Sequence, residues 1–140
     1  MLEQKQIKDL IEAAMKMTKL SYAPYSHFHV GAALLAKDGR IFTGCNIENA
    51  AYTPTNCAER TAFFKAVSEG VREFEAIAIV GGHNGKITGP TAPCGVCRQV
   101  MMEFCDPKTF QIIMAVDSEY YKVKTLEEFL PEGFGPANLV

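Results

Sequence analysis

The chain contains no tryptophan and no concentration of charge of either sign. Its 140 residues carry 14 lysines and arginines against 16 aspartates and glutamates, for a formal net charge of −2 at pH 7. A protein that binds nucleic acid usually presents a cluster of basic residues, and no block of them occurs here. We therefore predict no nucleic-acid partner.

Long apolar runs are also missing. The longest, from about Ala76 to Gly81, is far shorter than the roughly 18 residues that a membrane span requires. The first twenty residues spread their lysines through an amphipathic pattern, so we predict neither a signal peptide nor a membrane partner. Five cysteines, an odd number, do not suit a disulfide framework, and we predict a reducing, cytoplasmic location.

An apolar content of 48% is sufficient for one hydrophobic core, and we predict a single domain over residues 1–140. Apolar residues recur at helical spacing across 3–20, which predicts an amphipathic helix. The remaining elements are predicted as strands at 28–36, 41–47, 76–80, 110–116 and 121–123, and as helices at 57–69, 93–105 and 125–130. This order predicts an α/β fold, a three-layer α/β/α sandwich around a central mixed five-stranded sheet.

Three of the cysteines have the spacing of a metal site. Cys94 and Cys97 form a Cys-x-x-Cys pair that can hold one zinc ion, and Cys57 can supply a third sulfur. Three protein ligands leave the fourth tetrahedral position to water, which is typical of catalytic zinc. Glu59 lies two residues after Cys57 and is a carboxylate available to move a proton of that water. The pattern predicts a zinc hydrolase with one Zn²⁺ per chain.

Both cysteine segments are predicted to begin helices. The partial positive charge of a helix N-terminus offsets the negative charge of thiolates and favours the deprotonated form that zinc requires. Arg60 and Arg98 follow the cysteines closely and can donate hydrogen bonds to the sulfurs. Residues two apart in a regular helix point about 200° away from each other. Cys57 and Glu59 can therefore converge only if Cys57 occupies the first position of its helix.

Other interpretations of these residues stay open at this point. Asn56 and Glu59 resemble a capping box, in which Glu59 would only bind backbone amides. The Cys-x-x-Cys pair is also compatible with a redox function. A closed structural zinc site would need a fourth ligand, for which the candidates are Cys45, Cys105 and His83. The hypothesis from a different functional class is a zinc-stabilised binding module without catalysis.

Several segments, in order along nearly the whole chain, carry the motifs of one known family. They are Pro24 to Phe28, Val30 to Leu34, Gly44 to Ala50, Cys57 to Thr61, Pro93 to Gln99 and Leu130 to Gly135. Together they resemble the cytidine deaminase family, in particular its small homotetrameric branch. The resemblance implies hydrolytic deamination of cytidine and deoxycytidine in pyrimidine salvage, by a zinc-activated water and a proton shuttle at Glu59. A related deaminase acting on guanine or on a nucleoside antibiotic is the alternative enzyme.

The resemblance also implies roles outside the zinc signature. Asn46 and Glu48 would bind the ribose of a nucleoside, since an amide and a carboxylate supply both donors and acceptors to hydroxyl groups. Phe28 resembles the aromatic residue that packs on the pyrimidine, and Ala58 the residue whose backbone amide contacts the base carbonyl. The residues expected to contribute to a neighbouring subunit's site, in a homotetramer, are Ala50, Tyr52 and Phe134.

Overall fold

The computed structural model describes residues 2–140. Its helices are α1 (Gln4–Met17), α2 (Ala58–Ser68), α3 (Gly95–Phe104) and α4 (Leu126–Phe129), with a 3-10 turn at Pro136–Asn138. Its strands are β1 (Phe28–Ala36), β2 (Ile41–Cys45), β3 (Phe74–His83), β4 (Gln111–Ala115) and β5 (Tyr121–Thr125). They form one sheet in the order β2-β1-β3-β4-β5, in which β3 and β4 are parallel and the other neighbours are antiparallel. The predicted mixed five-stranded sheet is confirmed.

A helix layer covers each face of the sheet. Helix α1 buries Leu10 and Ile11 against one face, and α2 and α3 pack on the other, where Phe63 is fully buried. Successive residues of a strand point to opposite faces, so Leu34 of β1 packs under α2 while Leu35 packs under α1. The architecture is the predicted three-layer α/β/α sandwich. No helix within residues 2–140 is long and apolar enough to cross a membrane.

Several strand ends differ from the prediction by one to three residues, and two of these differences lie near the cysteine segments. Strand β3 continues past Val80 to His83, because Gly81 and Gly82 stay paired with β1 although they lack side chains that would signal a strand. Strand β2 ends at Cys45, short of the predicted end, since the chain beyond it pairs instead with the segments that precede β1 and α2. The antiparallel register places His83 opposite the first residue of β1.

Helix α2 is held against β2 by a very close approach at Gly44. A Cβ atom at Gly44 would lie 2.4 Å from the carbonyl oxygen of Ala58 and 2.6 Å from the amide nitrogen of Ala62. Both distances are shorter than any van der Waals contact, and both neighbours are backbone atoms that cannot rotate away. Glycine at this position therefore sets how deeply the first turn of α2 lies on the sheet.

We expect Gly44→Ala to lower the free energy of unfolding by about 1–3 kcal/mol, because the added methyl group overpacks the contact between β2 and α2. Urea unfolding followed by circular dichroism measures the change. Gly89→Ala is the matched control, since a Cβ atom there would meet no atom within 4 Å. Equal stability of the two variants would contradict the assigned packing.

Candidate active site

The three predicted sulfurs meet at the N-termini of two helices. Cys57 is the N-cap of α2 and Cys94 is the N-cap of α3, both with extended backbone, and Cys97 lies in the first turn of α3. The Cys57 sulfur lies 3.7 Å from the Cys94 sulfur, which lies 3.5 Å from the Cys97 sulfur. These residues form the only cluster of potential metal ligands of this size within residues 2–140.

The spacing and chemistry of the sulfurs fit zinc. A tetrahedral ion with Zn–S bonds of about 2.3 Å places its sulfur ligands about 3.8 Å apart. The observed sulfur separations of 3.5 and 3.7 Å are close to that value. None of the candidates for a fourth protein ligand, Cys45, Cys105 and His83, joins the cluster in the described part of the chain. The cluster is therefore a three-ligand site, and the hypothesis of a closed structural zinc is not supported.

Glu59 lies buried beside this cluster. Glu59 is 4% exposed, and it is the only charged residue that is buried within the described chain. Burial raises the pKa of Glu59 to about 7, and the neighbouring Cys57 thiolate acts in the same direction. A divalent cation bound to the sulfurs would favour the ionised carboxylate and so lower the pKa of Glu59. A carboxyl group with a pKa near neutrality can both accept and donate a proton.

The geometric condition on Cys57 and Glu59 is met. Because Cys57 is an extended N-cap residue rather than a residue inside the helix, the regular helical rotation does not separate the two side chains. The capping-box interpretation of Asn56 is wrong, since the cap position belongs to Cys57. The side-chain Nδ2 of Asn56 donates instead to the Thr61 hydroxyl at 3.3 Å. Glu59 therefore does not form a capping box with Asn56.

The pKa values of the cysteine thiols are shifted by the neighbouring thiols and by Arg60. A hydrogen bond with Cys97 lowers the pKa of Cys57 to about 5, and the Arg60 guanidinium favours the same thiolate. The Nη2 of Arg60 donates to the Cys57 sulfur at 3.2 Å. The bond with Cys57 raises the pKa of Cys97, because Cys97 is the donor and keeps its proton. A metal must displace that proton, so binding of zinc releases it.

A second group of residues lies at the start of β1. A Cβ atom added at Gly81 would lie 3.1 Å from Cε2 of Phe28 and 3.0 Å from the Thr91 hydroxyl, so both side chains lie against Gly81. Thr91 precedes Cys94 by only three residues, which brings the Phe28 ring to the side of the sheet where the sulfurs lie. The ring is 36% exposed. An accessible aromatic surface therefore faces the same end of the sheet as the cysteines.

Asn46 is fixed in one orientation. Its side-chain oxygen accepts hydrogen bonds from the Ser21 hydroxyl and the Val30 amide, and its Nδ2 donates to the Phe28 carbonyl at 2.7 Å. These bonds occupy both lone pairs of the oxygen and one of the two N–H groups. Asn46 therefore offers one remaining N–H donor to a ligand.

Glu48 is held as an acceptor. Its Oε1 accepts from the backbone amides of Tyr25 and Ser26 at 2.9 and 3.1 Å, and its Oε2 accepts from the Ser26 hydroxyl. The Ser26 hydroxyl is the main cause of a lowered pKa at Glu48, which keeps the group ionised. A carboxylate has about four lone-pair sites, so about one stays available. An adjoining pocket of about 370 Å³ is lined by Tyr25, Ser26, Glu48, Tyr52 and Thr55.

Comparison with known proteins identifies the family. A family model described as the cytidine and deoxycytidylate deaminase zinc-binding region matches residues 4–114. The chain belongs to this deaminase family. A cytidine deaminase of Sporosarcina psychrophila is 48% identical over 133 residues, which cover 95% of this chain and 94% of the relative. Zinc as the cofactor and a zinc-dependent deaminase as the enzyme class, both predicted from the sequence, are confirmed.

Solved structures agree with this assignment. A crystal structure of a cytidine deaminase from Burkholderia pseudomallei superposes with a TM-score of 0.80 at 48% identity, over 90% of this chain and 97% of that one. A cytidine deaminase from Mycobacterium tuberculosis superposes with a TM-score of 0.77 at 38% identity, over 91% of this chain and 95% of that one. The deaminase fold predicted for the chain is confirmed.

Arg98 does not bind the sulfurs, and the prediction that it would is wrong. Its Nε donates to the Pro93 carbonyl at 2.8 Å and its Nη1 donates to the Phe129 carbonyl at 2.8 Å. The guanidinium also lies 4.8 Å from the centre of the Phe129 ring. The C-terminal end of α4 offers a carbonyl and an aromatic face together, which suits the planar cation. Arg98 thus supports the backbone that precedes Cys94.

The residues expected to serve a neighbouring subunit lie at the surface of this chain. Ala50 is exposed, Tyr52 is 71% exposed and Phe134 is 58% exposed. The Tyr52 ring packs edge-on against Tyr25 of its own chain, with ring centres 6.1 Å apart. Ala58, by contrast, is completely buried at the start of α2.

Two residues of the site were missed as functional residues in the sequence. Ser21 and Ser26 each hold one of the two polar side chains predicted to bind the sugar. Ser26 belongs to a segment that matched the family, and that match was the available signal. A serine before a strand is so common that its partner, 22 residues away, is visible only in the fold.

We expect Cys57→Ala, Cys94→Ala and Cys97→Ala each to lose bound zinc, because two sulfurs do not retain the ion through purification. Metal analysis of the purified protein by plasma mass spectrometry measures zinc per chain. Cys105→Ala is the control: this half-buried cysteine lies outside the cluster, and burial raises its pKa. A variant of the three that keeps one zinc per chain would exclude that cysteine as a ligand.

Proposed function

We propose that the protein catalyses the hydrolytic deamination of cytidine and deoxycytidine to uridine and deoxyuridine, with release of ammonia. The observation that carries the proposal is the burial of Glu59 beside a three-sulfur cluster at two helix N-termini. Membership of the deaminase family and similarity to the named cytidine deaminases support the choice of substrate. The role would be in pyrimidine salvage.

Glu59 is the proton carrier in this proposal. It accepts one proton from the attacking water and delivers it to N3 of the cytosine ring, as the water oxygen adds to C4. It then carries the second proton of that water to the amino group, which leaves as ammonia. Both protons of water are accounted for, one on N3 of the product and one on ammonia. The pKa of about 7 supports a group that works in both directions.

The metal would be held by Cys57, Cys94 and Cys97. Zinc, when bound, supplies positive charge that lowers the pKa of water to near neutrality. Arg60 reduces the negative charge that the sulfurs place around the ion, because it donates a hydrogen bond to Cys57. The backbone amide of Ala58 and the ring of Phe28 are proposed to contact the base.

The sugar side would recognise a single hydroxyl group. Asn46 has one N–H free to donate, and Glu48 has about one lone pair free to accept. One hydroxyl can accept from Asn46 while it donates to Glu48. Cytidine and deoxycytidine share the 3′-hydroxyl, so this arrangement supports activity on both nucleosides.

We further propose a single domain over residues 1–140 that assembles as a homotetramer in the cytoplasm. The exposed rings of Tyr52 and Phe134 support a contribution of these residues, with Ala50, to a neighbouring subunit's site. A cytoplasmic location is supported by the need for three reduced thiols in the zinc site, and all five cysteines are free.

The test of the proposal is ultraviolet monitoring of base deamination by the purified protein, with zinc measured on the same sample. We expect kcat/KM to be highest for cytidine and deoxycytidine, and lower for dCMP and guanine. A chelator that strips the zinc should abolish the activity. A preference for dCMP or guanine would contradict the assigned substrate, and zinc-loaded protein without any deamination would favour a binding module.

We expect Glu59→Gln to retain zinc while kcat for cytidine falls by about 10²- to 10⁴-fold, because glutamine cannot accept or donate the transferred protons. Steady-state kinetics and metal analysis of one preparation give both values. Glu69→Gln is the matched control, an exposed glutamate at the C-terminal end of the same helix. Near-normal turnover by the Glu59 variant would remove this residue from the mechanism.

A further inference from the structure

The turn that precedes β1 holds Glu48 by three hydrogen bonds. Two come from the backbone amides of Tyr25 and Ser26, and the third comes from the Ser26 hydroxyl. The same hydroxyl oxygen accepts a hydrogen bond from the Phe28 amide at 3.0 Å. One side chain thus connects the carboxylate assigned to the sugar with the residue assigned to the base.

We propose that Ser26 is a positioning residue of the nucleoside site, which fixes the Glu48 carboxylate relative to the Phe28 ring. The inference rests on the proposed function, since it concerns how that substrate is held. Ser26 does not itself contact the substrate in this proposal. It acts through Glu48 and through the first residue of β1.

The geometry of a nucleoside explains why such a connection is useful. Its base and its sugar are joined by one rotatable bond, so a site that grips both parts must hold its two contacts at a constant separation. Glu48 lies beyond the end of β2, outside the sheet ladder, and is half-buried. A carboxylate free to rotate there would lose conformational entropy each time a ligand bound. The two backbone amides hold only Oε1, and the Ser26 hydroxyl fixes Oε2 as well, which reduces that cost before binding.

The Ser26 hydroxyl also limits how many hydrogen bonds the Glu48 carboxylate can accept from a ligand. By occupying a lone pair of Oε2, Ser26 leaves about one acceptor position on the carboxylate. Because Ser26 accepts from the Phe28 amide, its own hydrogen is directed to Glu48 rather than to another acceptor. Ser26 is also the largest contributor to the lowered pKa of Glu48, and so favours the ionised, accepting form. These effects all concern binding and not proton transfer.

A purely structural role of the same contacts predicts a different outcome. If Glu48 only capped the turn at residues 24–26, loss of the Ser26 hydroxyl would lower stability and leave the kinetic constants of the folded enzyme unchanged. A positioning role predicts a change in KM without a change in kcat, because the zinc cluster and Glu59 are made by other segments of the chain.

The experiment compares Ser26→Ala with wild-type protein in zinc-loaded form, with cytidine as the substrate. We expect KM to rise about tenfold, as for loss of a hydrogen bond to a charged group, while kcat stays within about twofold and zinc content is unchanged. Ser26→Thr retains the hydroxyl and should restore KM to within about threefold of wild type. If Ser26→Ala does not fold, Ser26→Cys, whose thiol is a weaker donor, replaces it and should give a smaller rise.

Two further variants locate the effect. In a Glu48→Gln background, Ser26→Ala should change KM by less than about twofold, because the two residues act as one unit. Ser68→Ala is the matched control, an exposed serine at the end of α2 whose hydroxyl bonds only the Lys65 carbonyl. It should leave both constants unchanged.

An unchanged KM in Ser26→Ala, or a loss of kcat as large as the rise in KM, would overturn the positioning role. A wild-type protein inactive on cytidine would overturn the proposed function as well.

Discussion

The gathering of three cysteine sulfurs, which must all become thiolates to hold zinc, is the constraint on which the rest of this structure depends. The sulfurs approach to 3.5 and 3.7 Å, and such a cluster of thiolates needs nearby positive charge. Two helix N-termini and the Arg60 guanidinium supply it. The helices can do so only if both begin at the same end of the sheet. The topology therefore has to bring the starts of α2 and α3 together.

The strand order satisfies this condition. The β3-α3-β4 segment is a parallel crossover, so α3 follows the carboxyl end of β3. Strand β1 runs antiparallel to β3 and starts at that same end, where Phe28 faces His83. Strand β2 is the other neighbour of β1 in the sheet, and the close contact at Gly44 places α2 on β2, on the same face as α3. The three cysteines, the buried Glu59 and the Phe28 ring are thereby gathered from segments far apart in sequence.

The environment of the cluster has opposite effects on its acidic groups. Hydrogen bonds favour the charged form of Cys57, whose pKa is lowered to about 5, whereas burial favours the neutral form of Glu59, whose pKa is raised to about 7. Cys57 is thus favoured as a thiolate that can bind a cation, and the Glu59 carboxyl group has a pKa that suits proton exchange. This separation of roles follows from the hydrogen bonds that Cys97 and Arg60 make with the Cys57 sulfur, and from the burial of Glu59.

Local patterns were sufficient for most of the architecture and for the metal. The amphipathic spacing of α1, the apolar strands and the cysteine spacing depend on neighbouring residues, so they can be read in one dimension. Strand β3 was predicted too short because its glycines carry no such signal. The partner of Arg98 was predicted wrongly, because a long side chain reaches whatever acceptor the fold brings near, here the end of α4.

By itself, then, the sequence determined the sandwich, the family, the zinc and the cysteine cluster that can hold it, because each of these is encoded in short-range spacing or in motifs. Only the tertiary structure decided that Cys57 caps its helix, that Glu59 is buried, and that Ser26 holds Glu48. Burial and hydrogen-bond partners between distant segments arise when the layers pack. No local pattern of residues specifies them in advance.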